Sequence, residues 1–134
     1  MTNKICYLII EDPKDGNLLN TGIRETELGY VSIVASSMER VVERLEGDPS
    51  FLPDYIFIDW DIDMLREIKA SPHLANSAVI IYTGDMSTAE INEAKQIGAA
   101  HCLLKTTHDT ALTAILLHLF KDENIPFVLA SSME

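Results

Sequence analysis

The chain has 134 residues, of which 47% are hydrophobic, enough for one domain with a sizeable core. Its formal net charge of -11 at pH 7 opposes direct binding to nucleic acid or to an anionic membrane surface, since both present negative phosphates. The first apolar run stops before Glu11, which is too short to span a bilayer, and no signal-peptide pattern accompanies it. These features predict a cytoplasmic protein with no direct nucleic-acid or membrane partner.

Five short apolar runs predict five β-strands. Several of the runs lack polar alternation, which is typical of parallel strands that are buried on both faces of a sheet. The runs are Ile5–Ile10, Val31–Ala35, Tyr55–Ile58, Ala78–Tyr82 and His101–Leu104.

The segments between the runs have apolar residues at the three- and four-residue spacing of amphipathic helices. Capping residues, a first-turn proline and glycines mark where the helices begin and end. The predicted starts are Asp12 before Pro13, Ser36 with Glu39, and Ser87 with Glu90, and the predicted ends are Gly29 and Gly98. Alternation of strand and helix predicts a doubly wound α/β fold with a five-stranded parallel sheet.

One domain is predicted over residues 1–122, followed by a C-terminal tail over residues 123–134. The tail carries an apolar patch, Ile125–Leu129, which we expect to pack on the domain or on a partner. Cys6 and Cys102 lie inside predicted strands and are expected to be buried, reduced thiols.

Polar residues of different chemistry follow four of the five predicted strands. In an open parallel sheet, ligands bind beyond the carboxyl ends of the strands, so these residues are the candidate site. They are Glu11 and Asp12, then Asp59 followed by Asp61, then Thr83 and Gly84, and finally Lys105.

These residue types suit phosphoryl transfer to a carboxylate. Crowded carboxylates repel one another, and a hard divalent cation such as Mg²⁺ would relieve the repulsion at Asp12 and Asp59, with Glu11 acting through water. A carboxylate can attack a phosphoryl donor and form an aspartyl phosphate. Lys105 would neutralise the phosphoryl oxygens, and Thr83 would donate a hydrogen bond to one of them, with room left by Gly84.

The sequence resembles the receiver domains of response regulators in two-component signalling. The resemblance extends from about Lys4 to about Phe120. The matching segments are Leu8–Pro13, Pro53–Asp59, Val79–Gly84 and Gly98–Lys105.

The resemblance implies a flavodoxin-like receiver fold with strand order 2-1-3-4-5. It implies that Asp59 is the phosphoacceptor, that Glu11, Asp12 and Asp59 form a Mg²⁺ site with the Asp61 backbone carbonyl, and that Thr83, Gly84 and Lys105 bind the phosphoryl group. The implied partners are a sensor histidine kinase or phosphotransfer protein, which donates the phosphoryl group, and a downstream protein target. Homodimer formation is left open.

Three departures from the family pattern stand out. The loop after Asp59 is shortened, so that the third helix is expected to start early or to be displaced. Thr106 follows the lysine where the family usually has proline, and Cys102 takes the aromatic switch position of the last strand.

Two other functions are considered beside the phosphorylated switch. A degenerate receiver would act as an interaction module without phosphorylation. The segment Ile58–Asp61 also resembles the nucleophile motif of haloacid-dehalogenase-type phosphatases, although there the motif opens the domain, whereas here an acid pair precedes it. A nucleotide or flavin binder is disfavoured, because Glu11 and Asp12 would repel phosphate in the first loop.

Overall fold

The computed structural model describes residues 4–48, 52–105, 109–121 and 125–129. Strands and helices alternate along the chain, as the sequence predicts. The strands are β1 (Ile5–Ile9), β2 (Val31–Val34), β3 (Tyr55–Ile58), β4 (Ala78–Thr83), β5 (His101–Leu104) and β6 (Val128–Leu129). The helices are α1 (Pro13–Glu25), α2 (Met38–Gly47), α3 (Ile62–Ala70), α4 (Thr88–Ile97) and α5 (Asp109–Lys121).

The strands form one parallel sheet in the order β2-β1-β3-β4-β5-β6. The predicted order 2-1-3-4-5 is therefore confirmed, with one additional strand at the β5 edge. Register is continuous across the centre, where Leu8 of β1 pairs with Phe57 of β3 and Phe57 with Ile80 of β4. All carboxyl ends consequently face the same way.

Both faces of the central sheet are buried. Alternate residues of β1 point to opposite sides, so that Tyr7 belongs to one core and Leu8 to the other. The first core packs against α2, α3 and α4, and the second against α1 and α5. Covering both faces explains why β1, β3 and β4 read as apolar runs without polar alternation.

The strand β2 was predicted to be buried on both faces but is exposed at both ends. Val31 and Val34 are 58% and 59% exposed, because β2 is the edge strand next to β1. Its valines reflect the preference of β-branched residues for strands and not a place in the core.

Helix boundaries follow the predicted caps with two corrections. The start at Asp12–Pro13 and the capping box of Ser87 with Glu90 are confirmed. The α2 cap is Ser37, whose hydroxyl accepts from the Arg40 amide, and not Ser36. Only Ser36 has a glutamate three residues later, so the capping-box pattern placed the cap one residue early.

The second correction concerns the end of α1. The helix stops at Glu25 with Thr26 as its cap, and the predicted end, Gly29, lies just after the following turn with a φ of 89°. The end of α4 at Gly98 is as predicted. No helix within the described ranges is long and apolar enough to cross a membrane.

The apolar patch of the predicted tail packs on the domain as β6. The Cys102 amide of β5 donates to the Phe127 carbonyl at 2.9 Å, and Lys95 of α4 lies 5.6 Å from the Phe127 ring centroid. Residues 125–129 thus extend the sheet, which the five-strand prediction missed. The domain boundary near residue 122 stays a prediction, since residues 122–124 are outside the described ranges.

Two glycines of α1 give a test of the packing between α1 and α5. A Cβ at Gly22 would lie 2.9 Å from Leu116 Cδ1, whereas a Cβ at Gly16 meets no atom within 4 Å. We expect Gly22→Leu to lower the free energy of unfolding by about 1–3 kcal/mol through overpacking. Gly16→Ala, the matched control, should raise it by up to about 1 kcal/mol through helix propensity. Urea denaturation measures both, and an unchanged midpoint for Gly22→Leu would contradict this packing.

Candidate functional site

The predicted site residues lie at the carboxyl edge of the sheet, which we define as the carboxyl ends of β1, β3, β4 and β5. Parallel pairing brings these four strand ends together. They carry, in spatial order, the acid pair Glu11–Asp12, Asp59, Thr83 and Lys105.

Asp59 is held by the backbone of the neighbouring strand end. The Glu11 amide donates to Asp59 Oδ2 at 2.8 Å. The Asp59 side chain is half-buried and the Glu11 side chain is exposed. The hydrogen bond fixes the orientation of the Asp59 carboxylate and joins the ends of β1 and β3.

A cavity of about 310 Å³ opens beside this pair. Of the described residues, its lining includes Glu11, Asp59 and Asp61, whereas Asp12, Thr83 and Lys105 lie outside it. Apolar side chains and a serine complete the lining: Ile9, Ile10, Ser36, Trp60 and Met64.

Asp12 acts as the cap of α1. Its Oδ1 accepts from the Lys14 amide at 2.9 Å, and its carbonyl accepts from the Gly16 amide at 3.0 Å. Asp12 therefore already has a structural role at the place where the sequence predicts a metal ligand.

Asp61 caps α3 in a similar way. Its Oδ1 accepts from the Met64 amide at 3.1 Å, and its carbonyl accepts from the Leu65 amide at 3.0 Å. The helix begins at Ile62, three residues after Asp59, which agrees with the first of the two outcomes expected for the shortened loop. The carbonyl that the family resemblance assigns to the metal is engaged here in the first hydrogen bond of α3.

The donor chemistry at this edge suits a hard divalent cation. Glu11 and Asp59 both line one cavity, and carboxylate oxygens are the usual ligands of Mg²⁺. Within the described residues, no three His, Cys, Asp or Glu side chains are clustered closely enough to form a metal site. The carboxylates are suitable ligands for Mg²⁺, but they would have to move closer together to coordinate one ion.

Thr83 and Lys105 occupy adjoining strand ends. The Lys105 amide donates to the Thr83 carbonyl at 2.8 Å, which fixes the backbones of the two residues relative to each other. The Thr83 hydroxyl donates to the Asp85 carbonyl at 3.4 Å. A Cβ at Gly84 would meet no atom within 4 Å, which agrees with the open space expected there.

The Lys105 side chain pairs with an acid that the sequence did not single out. Its Nζ donates to Asp15 Oδ2 at 2.6 Å, and it lies 5.5 Å from the Tyr82 ring centroid. Asp15 is in the first turn of α1, three residues after Asp12, a position that by itself predicts only favourable helix-dipole electrostatics. The contact spans 90 residues of sequence and has no local signal.

Cys102 is fully buried in β5, and Cys6 is fully buried in β1. Both are free thiols, as predicted. Burial raises the pKa of Cys102 to about 11 and that of Cys6, which also faces the Asp54 charge, to about 12. Both stay neutral at physiological pH. Thr106, the other departure in this region, lies outside the described residues.

Trp60 connects the end of β3 to α4. Its Nε1 donates to Glu90 Oε2 at 3.1 Å, while Glu90 Oε1 accepts from the Ser87 amide at 2.9 Å. The capping-box signal identified Glu90 as a helix residue but did not reveal its tryptophan partner. Two hydrogen bonds hold the pKa of Glu90 below its ordinary value of 4.5. The one from the Ser87 amide has the larger effect, and the one from the Trp60 indole the smaller.

The emission of Trp60, the single tryptophan, should report the ionisation of Glu90. Because the folded-state pKa is lowered, the stabilising contact is complete above 4.5 and is lost only as pH falls through the lower folded value. We expect an emission transition below pH 4.5 that Glu90→Gln removes and Glu93→Gln, on the same helix, retains. Far-UV circular dichroism would verify that the fold persists. Identical profiles for the wild type and Glu90→Gln would rule out this contact.

No protein-family model matches the chain. No curated protein matches it either.

Solved structures match over most of the chain. A response-regulator receiver domain from Rhodospirillum rubrum has a TM-score of 0.72 at 20% identity, covering 93% of this chain and 99% of its own. The manganese-bound form of a response regulator has a TM-score of 0.69 at 16% identity, with coverages of 92% and 98%. The phosphorylated cyanobacterial phytochrome response regulator RcpA has a TM-score of 0.70 at 16% identity, with coverages of 88% and 91%. The chain has the fold of response-regulator receiver domains.

Proposed function

We propose that this domain is a phosphorylatable switch that accepts a phosphoryl group on Asp59 and signals to a partner protein. The observation that carries the proposal is the Asp59 carboxylate, with Oδ2 held by the Glu11 amide beside an open cavity. One carboxylate oxygen is fixed by this bond, and Oδ1 is the oxygen that we assign as the nucleophile.

The transfer step balances without any change of oxidation state. The Asp59 Oδ1–P bond forms as the bond from phosphorus to the donor atom breaks, and the leaving group keeps that electron pair. Donors of this kind are a phosphohistidine on a sensor kinase or phosphotransfer protein, or a small acyl phosphate. Thr83, at the end of the neighbouring strand β4, and Lys105, at the end of β5 beyond it, would donate hydrogen bonds to the phosphoryl oxygens.

We propose that Glu11, Asp12 and Asp59 hold Mg²⁺, with the Asp61 carbonyl as a further ligand. The cation supplies neutralisation of the phosphoryl oxygens. The resting hydrogen bonds of the Asp12 side chain and the Asp61 carbonyl to backbone amides compete with this assignment. Fold neighbours support it, because they include a manganese-bound response regulator and a phosphorylated one.

Phosphorylation would change the conformation of the surface formed by α4, β5 and α5. A downstream protein would bind this surface differently in the two states. Trp60 links the acceptor strand to the first turn of α4 through Glu90. Since Cys102 replaces the aromatic residue expected in β5 and is buried, this link is the described contact best placed to transmit the change. The fold neighbours are signalling domains and not enzymes, which weighs against the phosphatase hypothesis.

A degenerate interaction module is the second candidate function. It is favoured by the resting contacts of Asp12, Asp61 and Lys105, which are engaged in two helix caps and an ion pair. Phosphorylation and metal binding separate it from the switch.

Phosphorylation is tested directly by incubating the protein with acetyl phosphate and Mg²⁺ and measuring its intact mass. We expect the gain of one phosphoryl group, complete loss of labelling in Asp59→Asn, and normal labelling in Asp63→Asn. Asp63 is the matched control, because it is an exposed acid in the first turn of α3 close to the site. Labelling of Asp59→Asn would refute the assignment of the acceptor.

Metal binding is tested through Trp60 emission during a Mg²⁺ titration. We expect saturable binding in the millimolar range, weakened about tenfold or more by Asp12→Asn because a charged ligand is lost. Asp63→Asn should bind as the wild type does. An unchanged emission together with no phosphoryl gain would contradict the switch and favour the interaction module.

A further inference from the structure

We propose that Asp15 is a positioning residue that holds Lys105 away from the acceptor until a phosphoryl group competes for the ammonium. This inference rests on the proposed function. It concerns a residue that neither the sequence pattern nor the family resemblance singles out.

The ion pair is close and partly shielded from solvent. Lys105 Nζ and Asp15 Oδ2 are 2.6 Å apart, and the side chains are 33% and 17% exposed. A charge-assisted contact in this setting is screened less than one between fully exposed groups. Among the described residues, Asp15 is the carboxylate within salt-bridge distance of Lys105.

The lysine can change partners without a backbone movement. Its amide is fixed to the Thr83 carbonyl at 2.8 Å, whereas the ammonium ends a flexible four-carbon chain. In the resting contact the ammonium is joined to the first turn of α1. A phosphoryl group on Asp59 would offer it a more highly charged anion at the end of β3, which β4 separates from β5 in the sheet.

Asp15 therefore competes with the phosphoryl group for one ammonium. As phosphoryl transfer begins, breaking the resting pair offsets part of the stabilisation that Lys105 gives to the phosphoryl oxygens. Removing the Asp15 charge should speed phosphorylation, and the gain should depend on Lys105. A general effect of charge would instead persist without the lysine.

The pair itself is tested without phosphorylation. Trace acetylation by acetic anhydride, with peptide mass analysis, measures the reactivity of the Lys105 amine. We expect faster acetylation in Asp15→Asn than in the wild type and no change in Asp85→Asn. Asp85 is the matched control, an exposed acid two residues after the end of β4. Equal Lys105 reactivity in the wild type and Asp15→Asn overturns the inference.

The competition is tested by the rate of phosphorylation with acetyl phosphate and saturating Mg²⁺. Asp15→Asn should react about two- to fivefold faster than the wild type, the range expected for a partly exposed ion pair. In a Lys105→Met background the same change should have no effect. A gain that survives Lys105→Met, or no gain at all, overturns the inference.

The outcomes separate this inference from the proposed function. A wild type that is phosphorylated at the same rate as Asp15→Asn contradicts only the role of Asp15. If Asp15→Asn is phosphorylated and the wild type is not, the Asp15–Lys105 ion pair is what prevents phosphorylation of the wild type. This result supports the role of Asp15. If neither is phosphorylated, both the proposed function and the competition fail, whatever the acetylation result.

Discussion

Burial of both faces of the central strands is the constraint on which the molecule depends. Because β1, β3 and β4 are apolar on both sides, helices must cover both faces, and the connections between strands must cross over as helices. Such crossovers make every strand parallel and bring the carboxyl ends to one edge. The polar residues that follow the strands are neighbours for that reason, although up to 94 residues of sequence separate Glu11 from Lys105.

Two acidic residues at this edge cap helices and are also proposed ligands of the metal ion. Asp12 and Asp61 each accept hydrogen bonds from helix amides, through the side chain and through the carbonyl. A helix cap contributes typically about 1 kcal/mol, so drawing such an oxygen toward a cation would cost a comparable amount unless the carboxylate serves both partners. The resting domain is thus stabilised by the groups that the proposed chemistry would recruit, and a cation held by them would couple occupancy of the site to the starts of α1 and α3.

Local patterns in the sequence predicted most of the fold. The apolar runs, Asp12–Pro13 and the Ser87–Glu90 capping box are short-range signals, and each has its counterpart in the structure. The exposure of β2 was missed because an edge strand and a central strand can both consist of β-branched residues. The Asp15–Lys105 and Trp60–Glu90 contacts were missed because they join distant segments whose individual sequences carry no signal of the partner.

The short strand β6 has a practical consequence for the sheet. It pairs with the outer side of β5, where a row of amides and carbonyls would otherwise face solvent, and Leu129 is 7% exposed against the α1–α5 core. Open edges of this kind recruit strands from other molecules. A chain shortened to end near residue 122 would uncover β5, and its lower solubility and tendency to self-associate would reflect the lost strand and not a physiological dimer.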